Sequence, residues 1–347
     1  MKTLIKKTTS LIFTVVFISA VIYAQDWNTL FEQGRQAFDS GRFSEAAELF
    51  KRANALRPEV PEGHFNLGVS YYQLKQYGAA VVEFREAVRL KPDYQKAWVQ
   101  LGNALDLNND YLGALSAYET AKRLDPNDGM VYYEIGVAHA GQKKWAEAEA
   151  AYRKSITLKP DYPSSYYNLG LTLESLNRRD EAIPYFRTAV KLNPDLIYAH
   201  QRIGDFHVRN AQFAEAKAAY DECLKRNPGD SDCQLGMGNV YYEQKLYTQA
   251  LPYYAEAARL DPKWALPRVY QGDTYRLLKN YPEAKSWYLQ ALKIDPKDED
   301  ANYWLGLLYV VEGDLVSARK HYNVLKTVNP EMAAKLLGFI EPEPNPQ

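Results

Sequence analysis

The imidazoles and thiols of this 347-residue chain are the side chains most often used for proton shuttling near neutral pH or soft-metal ligation: His64, His139, His200, His207, His321, Cys223 and Cys233. An imidazole passes protons near neutral pH or ligates a metal. A cysteine pair holds a soft cation or closes a disulfide. The spacings that such uses require are missing, since the chain has no H-E-x-x-H, no C-x-x-C and no G-x-S-x-G. GMGNVYY at 236–242 opens like a phosphate-cradling glycine loop, but Tyr241 stands where the third glycine belongs.

The spacing that is present has another origin. LKPDY occurs at 90–94 and at 158–162, and LDPND lies halfway between them at 124–128, so the interval is 34 residues. With residue 27 as position 1, nine units follow without insertion: 27–60, 61–94, 95–128, 129–162, 163–196, 197–230, 231–264, 265–298 and 299–332. Position 8 is glycine in every unit, Gly34 to Gly306, and position 20 is alanine, Ala46 to Ala318. Position 24 is always Phe or Tyr, and position 32 is proline, Pro58 to Pro330. Self-similarity at this period marks an array of supersecondary units.

Within a unit, apolar residues at positions 4, 7 and 11 (Trp98, Leu101, Leu105) share one helical face. Positions 20, 24 and 27 (Ala114, Tyr118, Ala121) repeat that spacing, and polar DLNNDY separates the two runs. Each unit therefore reads as a helical hairpin and the chain as all-α. A mid-helix glycine costs about 1 kcal/mol relative to alanine, so nine of them need a packing reason. Glycine at 8 and alanine at 20 let the paired helices approach, with the position 24 ring filling the space beside them. Proline at 32 ends the second helix.

Some units depart from the pattern. Position 4 is His64, His200, Gln234, Arg268 and Asn302 in five of them, and position 17, aromatic at Phe43, Tyr77, Tyr111 and Trp145, is Arg179 in unit five. These departures are expected to weaken packing locally. Four of the five histidines occupy positions 4 or 11, which are apolar in sister units, so they read as core residues. No catalytic, cofactor-binding or metal-binding residue is expected, and the chain is not expected to be an enzyme.

Unit three, WVQLGNAL followed by ALSAY and DP, resembles the tetratricopeptide repeat signature W-x-x-L-G-x-x-Y, A-x-x-x-F, P. The resemblance covers residues 27–332. It implies a right-handed superhelical α-solenoid of nine tandem helix-turn-helix repeats, whose first helices line a long concave groove through positions 2, 5, 9, 12 and 13. At those positions units one to five supply Phe31, Phe38, Phe65, Val69, Tyr72, Val99, Asn103, Tyr133, Val137, Tyr167 and Leu171. Units six to eight supply Gln201, Asp205, Arg209, Asn239, Tyr242, Glu243, Asp273 and Arg276. The groove so read is aromatic at one end and polar at the other. Rings at position 5 pack against neighbouring helices or face a ligand, and the sequence leaves both open. No unit pairs Lys at position 5 with Asn at position 9, so the carboxylate-gripping groove of some family members is not implied.

Outside the array, residues 1–24 open with MKTLIKK, continue with the apolar LIFTVVFISAVI and end in Ala24, the pattern of a cleaved secretory signal. The apolar run is short for a membrane span, which needs about 20 residues. Loss of Lys2, Lys6 and Lys7 with no acid takes the formal charge from −1 to −4, against a nucleic-acid partner. Residues 25–332 hold the repeats. Residues 333–347 are read as the end of a capping helix, EMAAKLLGFI at 331–340, and a disordered EPEPNPQ tail.

Cys223 and Cys233 fall at the small-residue positions 27 of unit six and 3 of unit seven. They read either as buried thiols or, in an exported protein, as a disulfide. The functional expectation is an exported, non-catalytic protein–protein interaction scaffold of the periplasm or cell envelope, without cofactor, that holds a protein or peptide segment in its groove. The alternatives are a self-assembling structural envelope protein and a glycan-binding module.

Overall fold

The computed structural model of the chain describes residues 26–342. The predicted signal segment and residues 343–347 of the tail lie outside the described residues. All regular structure in the described part is helical.

Two compact units divide the chain after Ser175. The first contains α1 (Trp27–Asp39), α2 (Phe43–Leu56), α3 (Pro61–Gln73), α4 (Tyr77–Leu90), α5 (Gln95–Leu107), α6 (Tyr111–Leu124), α7 (Gly129–Gly141), α8 (Trp145–Leu158) and α9 (Pro163–Ser175). The second contains α10 (Arg179–Leu192), α11 (Ile197–Arg209), α12 (Phe213–Arg226), α13 (Ser231–Glu243), α14 (Tyr247–Leu260), α15 (Leu266–Leu277), α16 (Tyr281–Ile294), α17 (Glu299–Glu312), α18 (Leu315–Val328) and α19 (Pro330–Ile340). The 34-residue hairpins appear in the predicted register, and the division falls inside the fifth, between its two helices.

The glycine at position 8 meets the aromatic ring rather than the alanine. A Cβ on Gly68 would stand 2.7 Å from Phe84, on Gly136 2.6 Å from Tyr152, and on Gly238 2.4 Å from Tyr254. The ring lies flat on bare backbone, and all nine position 20 alanines are fully buried beside it. Repeat nine differs, because Leu336 of α19 comes within 2.6 Å of that point on Gly306. The terminal helix thus takes the place of a ring and buries Ala333, Leu336 and Ile340 against Ala318 and Leu325.

One device of the hairpin turn is absent from the sequence pattern. Position 15 is left-handed in every repeat: Gly41 and Gly313 have φ of 74° and 77°, and Lys75, Asn109, Lys143, Asn177, Ala211, Lys245 and Lys279 have φ between 52° and 64°. The next residue donates its N–H back to position 11, as Gln76 does to the Tyr71 carbonyl at 2.9 Å. This six-to-one bond closes the first helix in a Schellman motif.

At three of the five polar departures, His64, His200 and Asn302, position 4 is not weakened as expected. There, as in Trp98 and Tyr166, it places a hydrogen-bond donor against the carbonyl of the proline that ends the preceding repeat, whereas Arg268 reaches the Trp264 and Ala258 carbonyls instead. Trp98 donates to Pro92 at 2.9 Å, Tyr166 to Pro160 at 3.0 Å, His64 to Pro58 at 3.0 Å, His200 to Pro194 at 2.9 Å and Asn302 to Pro296 at 3.1 Å. The position selects for reach and an N–H or O–H, so imidazole and amide serve as well as indole.

Candidate functional site

Successive first helices of a unit lie against one another, as α1 does on α3, α5 on α7, α11 on α13 and α15 on α17, whereas no two successive second helices come as near. The first-helix side is therefore the inner side of each unit. All the groove residues read from the sequence lie on first helices.

In unit one the position 5 rings are half-buried. Phe65 packs on Phe84 at 5.9 Å and on Tyr94 at 5.0 Å, and Tyr133 packs on Tyr152 at 6.0 Å and Tyr162 at 5.0 Å. Phe31 lies between Trp27 and Phe50. Phe38 and Tyr72, at position 12, rest edge-on against the position 17 rings Phe43 and Tyr77. Val69, Tyr167 and Leu171 are also half-buried. Each ring is thus shared between the core and the inner face.

Position 9 joins core and face more directly. Tyr118 donates its hydroxyl to Asn103 Oδ1 at 2.7 Å, Tyr220 to Asp205 at 2.6 Å, Tyr254 to Asn239 at 2.9 Å and Tyr288 to Asp273 at 2.6 Å. Where position 24 is Phe50, Phe84 or Phe186, position 9 is Arg35, Val69 or Leu171. Tyr152 stands opposite Val137, and the Asn168 amide of the next repeat approaches it instead. Asn103 and Asp205 are consequently acceptors for buried phenols as well as inner-face residues. The signal lay in the sequence as paired variation within one repeat.

In unit two the inner face opens into a polar hollow of about 210 Å³ lined by Gln201, Arg202, Asp205, Asp232, Leu235 and Asn239. Gly236 borders it and gives room to the Tyr220 ring, since a Cβ there would come 2.3 Å from that ring. Gln201 donates to Asp230 at 2.8 Å, Arg209 is exposed, and Tyr242 packs on Tyr247, Tyr254 and Tyr270. Burial, followed by the nearby Asp273, pushes the Tyr242 phenol up to about 12. Arg276 stacks on Trp304 at 3.6 Å while donating to Asp273 and Tyr288. A residue not singled out from sequence is Tyr198, whose ring at position 2 of repeat six is 65% exposed.

Cys223 of α12 and Cys233 of α13 are joined as a disulfide across the repeat junction, with Cα atoms 6.4 Å apart and both side chains fully buried. Cys223, Asp230 and Cys233 are the one set of three ligating groups within 4.8 Å among the described residues. Both sulfurs are committed to the bond, and Asp230 caps α13 by accepting from the Cys233 N–H at 2.9 Å. His200 and His207 are buried, and burial lowers the pKa of His200, His139 and His321. No histidine pair shares a ligand geometry with these cysteines or with another carboxylate set among the described residues. No described helix is long and apolar enough to cross a membrane.

Solved structures share this architecture. A tetratricopeptide repeat protein from Parabacteroides merdae ATCC 43184 is 14% identical with a TM-score of 0.56, covering 71% of this chain and 98% of that one. The APC/C hetero-tetramer Cut9–Hcn1 gives 15% identity and a TM-score of 0.54, over 92% of this chain and 78% of that one. YrrB, described as a TPR protein with an unusual peptide-binding site, aligns over 53% of this chain and 95% of its own, at 23% identity and a TM-score of 0.48. A search among curated proteins finds no match. Sequence models described as tetratricopeptide repeat match residues 31–95, 99–165, 202–263 and 163–196, and one described as TPR repeat matches 272–313. With the nine hairpins, their glycine–ring contacts and these matches over most of its length, the chain belongs to the tetratricopeptide repeat family.

Proposed function

We propose that this protein is a non-catalytic protein–protein interaction scaffold of the cell envelope that seats a segment of a partner on the inner, first-helix face. The observation that carries the reading is the row of half-buried rings on that face in unit one, Phe31, Phe65, Tyr72, Tyr133 and Tyr167. Rings held rigid on one side and open on the other bury much area on binding at little entropic cost, and aromatic residues dominate interface hot spots. Export is part of the proposal. It rests on the lysine–apolar–alanine leader and on the disulfide, a bond kept in oxidising compartments.

The test is site-specific photocrosslinking in producing cells. A photoreactive residue replacing Tyr72 or Tyr198 is expected to trap one partner protein, whereas the same residue at Val82, 63% exposed on α4, is expected not to. Trapping from Val82 alone would move the working surface to the second helices. Adducts of the chain with itself would favour self-assembly.

A further inference from the structure

Charge is unevenly shared between the two kinds of helix. In unit one the first helices α1, α3, α5, α7 and α9 carry six carboxylates against two Lys or Arg, whereas the second helices α2, α4, α6 and α8 carry seven against eight. Unit two repeats the bias on its own residues. There α11, α13, α15 and α17 carry seven carboxylates against four cations, and α10, α12, α14, α16 and α18 carry seven against twelve.

Acids of both kinds of helix find cations in unit one: Glu86 with Arg89 at 2.6 Å and Glu149 with Arg153 at 2.8 Å on second helices, and Glu32 with Arg35 at 3.3 Å and Glu62 with Lys91 at 3.9 Å from first helices. On the inner face, Asp106 of α5 and Glu134 of α7 have neither a hydrogen-bond nor an ion-pair partner among the described residues. Both are half-buried and near enough to repel each other. Phenols from four helices stand near them: Tyr72 of α3, Tyr118 of α6, Tyr133 of α7 and Tyr152 of α8 all feel the Glu134 charge. An unpaired carboxylate held out of water is costly unless a cation joins it. Tyrosine faces attract a cation through their ring quadrupoles.

We propose that the inner face of unit one selects a basic partner segment, in which a lysine or arginine flanked by apolar residues seats between Asp106 and Glu134 against the tyrosine wall. This deepens the scaffold reading above and rests on it. The flanking residues meet Phe65, Val69 and Val99, which line the same face, so the occupant is an apolar-and-basic peptide rather than a free metal ion or an acidic tail.

Burial, with the Asp106 charge, pushes Glu134 up to about 7 from 4.5. A carboxyl so raised favours folding while it is protonated, so the uncomplexed chain loses stability as pH rises from 4.5 through about 7. A bound cation removes that loss. Affinity for the basic segment therefore falls as pH drops below about 7, and the melting temperature of the complex declines less than that of the free chain as pH rises.

The experiment pans a phage library of random dodecapeptides on the purified chain, with the Asp106→Asn/Glu134→Gln double variant as counter-target. The expected result is enrichment of Lys or Arg next to Leu, Phe or Val. The best synthetic peptide should then bind the variant at least about tenfold more weakly at pH 8, the loss of a charge-assisted pair, with unchanged helicity. Binding to the parent chain should weaken between pH 8 and 5.5. Neutralising the pair relieves repulsion, so misfolding of the variant is not expected, and circular dichroism checks it. Selection of acidic or charge-indifferent peptides, or equal binding by the variant, overturns the basic-segment inference and leaves the scaffold reading standing. Failure to enrich any peptide over a scrambled pool overturns both.

Discussion

Repeats two and seven build one hairpin from opposite chemistry. In repeat two Phe84 lies on Gly68, and position 9 is Val69. In repeat seven Tyr254 lies on Gly238 and its hydroxyl reaches Asn239, while Gly236 yields space to Tyr220 and Cys233 ties the repeat to its predecessor. An apolar ring asks only for volume. A phenol in the same place needs a partner, and at Tyr118, Tyr220, Tyr254 and Tyr288 it comes from position 9, which also lines the inner face. The polarity of the inner face is thus coupled to the polarity of the core beneath it.

Breaking the disulfide should have the greatest effect on the repeat-seven side. The bonded residues are 10 apart in sequence, so the loop-entropy model assigns the bond about 3 kcal/mol. Cys223→Ala/Cys233→Ala should destabilise the region around α12 and α13 by that amount, read by hydrogen exchange because arrays of repeats need not unfold in one step. A shift confined to a few tenths of a kcal/mol would show that packing alone holds the junction.

Next in size is the conversion of one chemistry into the other. Phe84→Tyr places a hydroxyl opposite Val69, and the unpartnered group should cost roughly 1–3 kcal/mol. Adding Val69→Asn should restore most of the loss, giving a double-mutant coupling that neither single change predicts. Absence of rescue would break the proposed link between positions 9 and 24. The reverse change is smaller: Tyr254→Phe leaves Asn239 free to meet water on the inner face and should cost about 1 kcal/mol, measured as a shift in denaturation midpoint.

The sequence made the hairpin register legible because the invariant glycine and proline each meet a steric requirement that only one or two residue types satisfy, but it pointed to the position 20 alanine rather than the position 24 ring as the glycine's neighbour. Glycine alone fits under a ring at position 8, and proline alone ends each second helix without exception. The role of position 4 was hidden because a hydrogen bond constrains reach and polarity rather than residue type: Trp98, His64 and Asn302 do one job, while position 9 showed itself only as paired variation with position 24. That no cation partners Asp106 or Glu134 among the described residues was not legible either. Pairing depends on which side chains meet in space, and Lys96 stands on the same helix as Asp106 without neutralising it.

The smallest effect concerns a position that treats both repeats alike. Lys75 in repeat two and Lys245 in repeat seven adopt φ of 59° and 62°, as Ala211 in repeat six adopts 52°. A left-handed conformation brings Cβ against the carbonyl and costs an L-residue roughly 1–2 kcal/mol, offset in part by the entropy that glycine loses on folding. Lysine and asparagine have side chains that can hydrogen-bond or solvate the turn, but Ala211 has only the strained methyl. Ala211→Gly should therefore raise stability by up to about 1 kcal/mol, read from the denaturation midpoint, and more than Lys75→Gly or Lys245→Gly does. Those two lysines should respond equally, because the Schellman turn closes on backbone groups and is indifferent to whether the core behind it is phenylalanine or tyrosine. A larger gain in one of them would mean that core chemistry reaches the turn as well as the inner face.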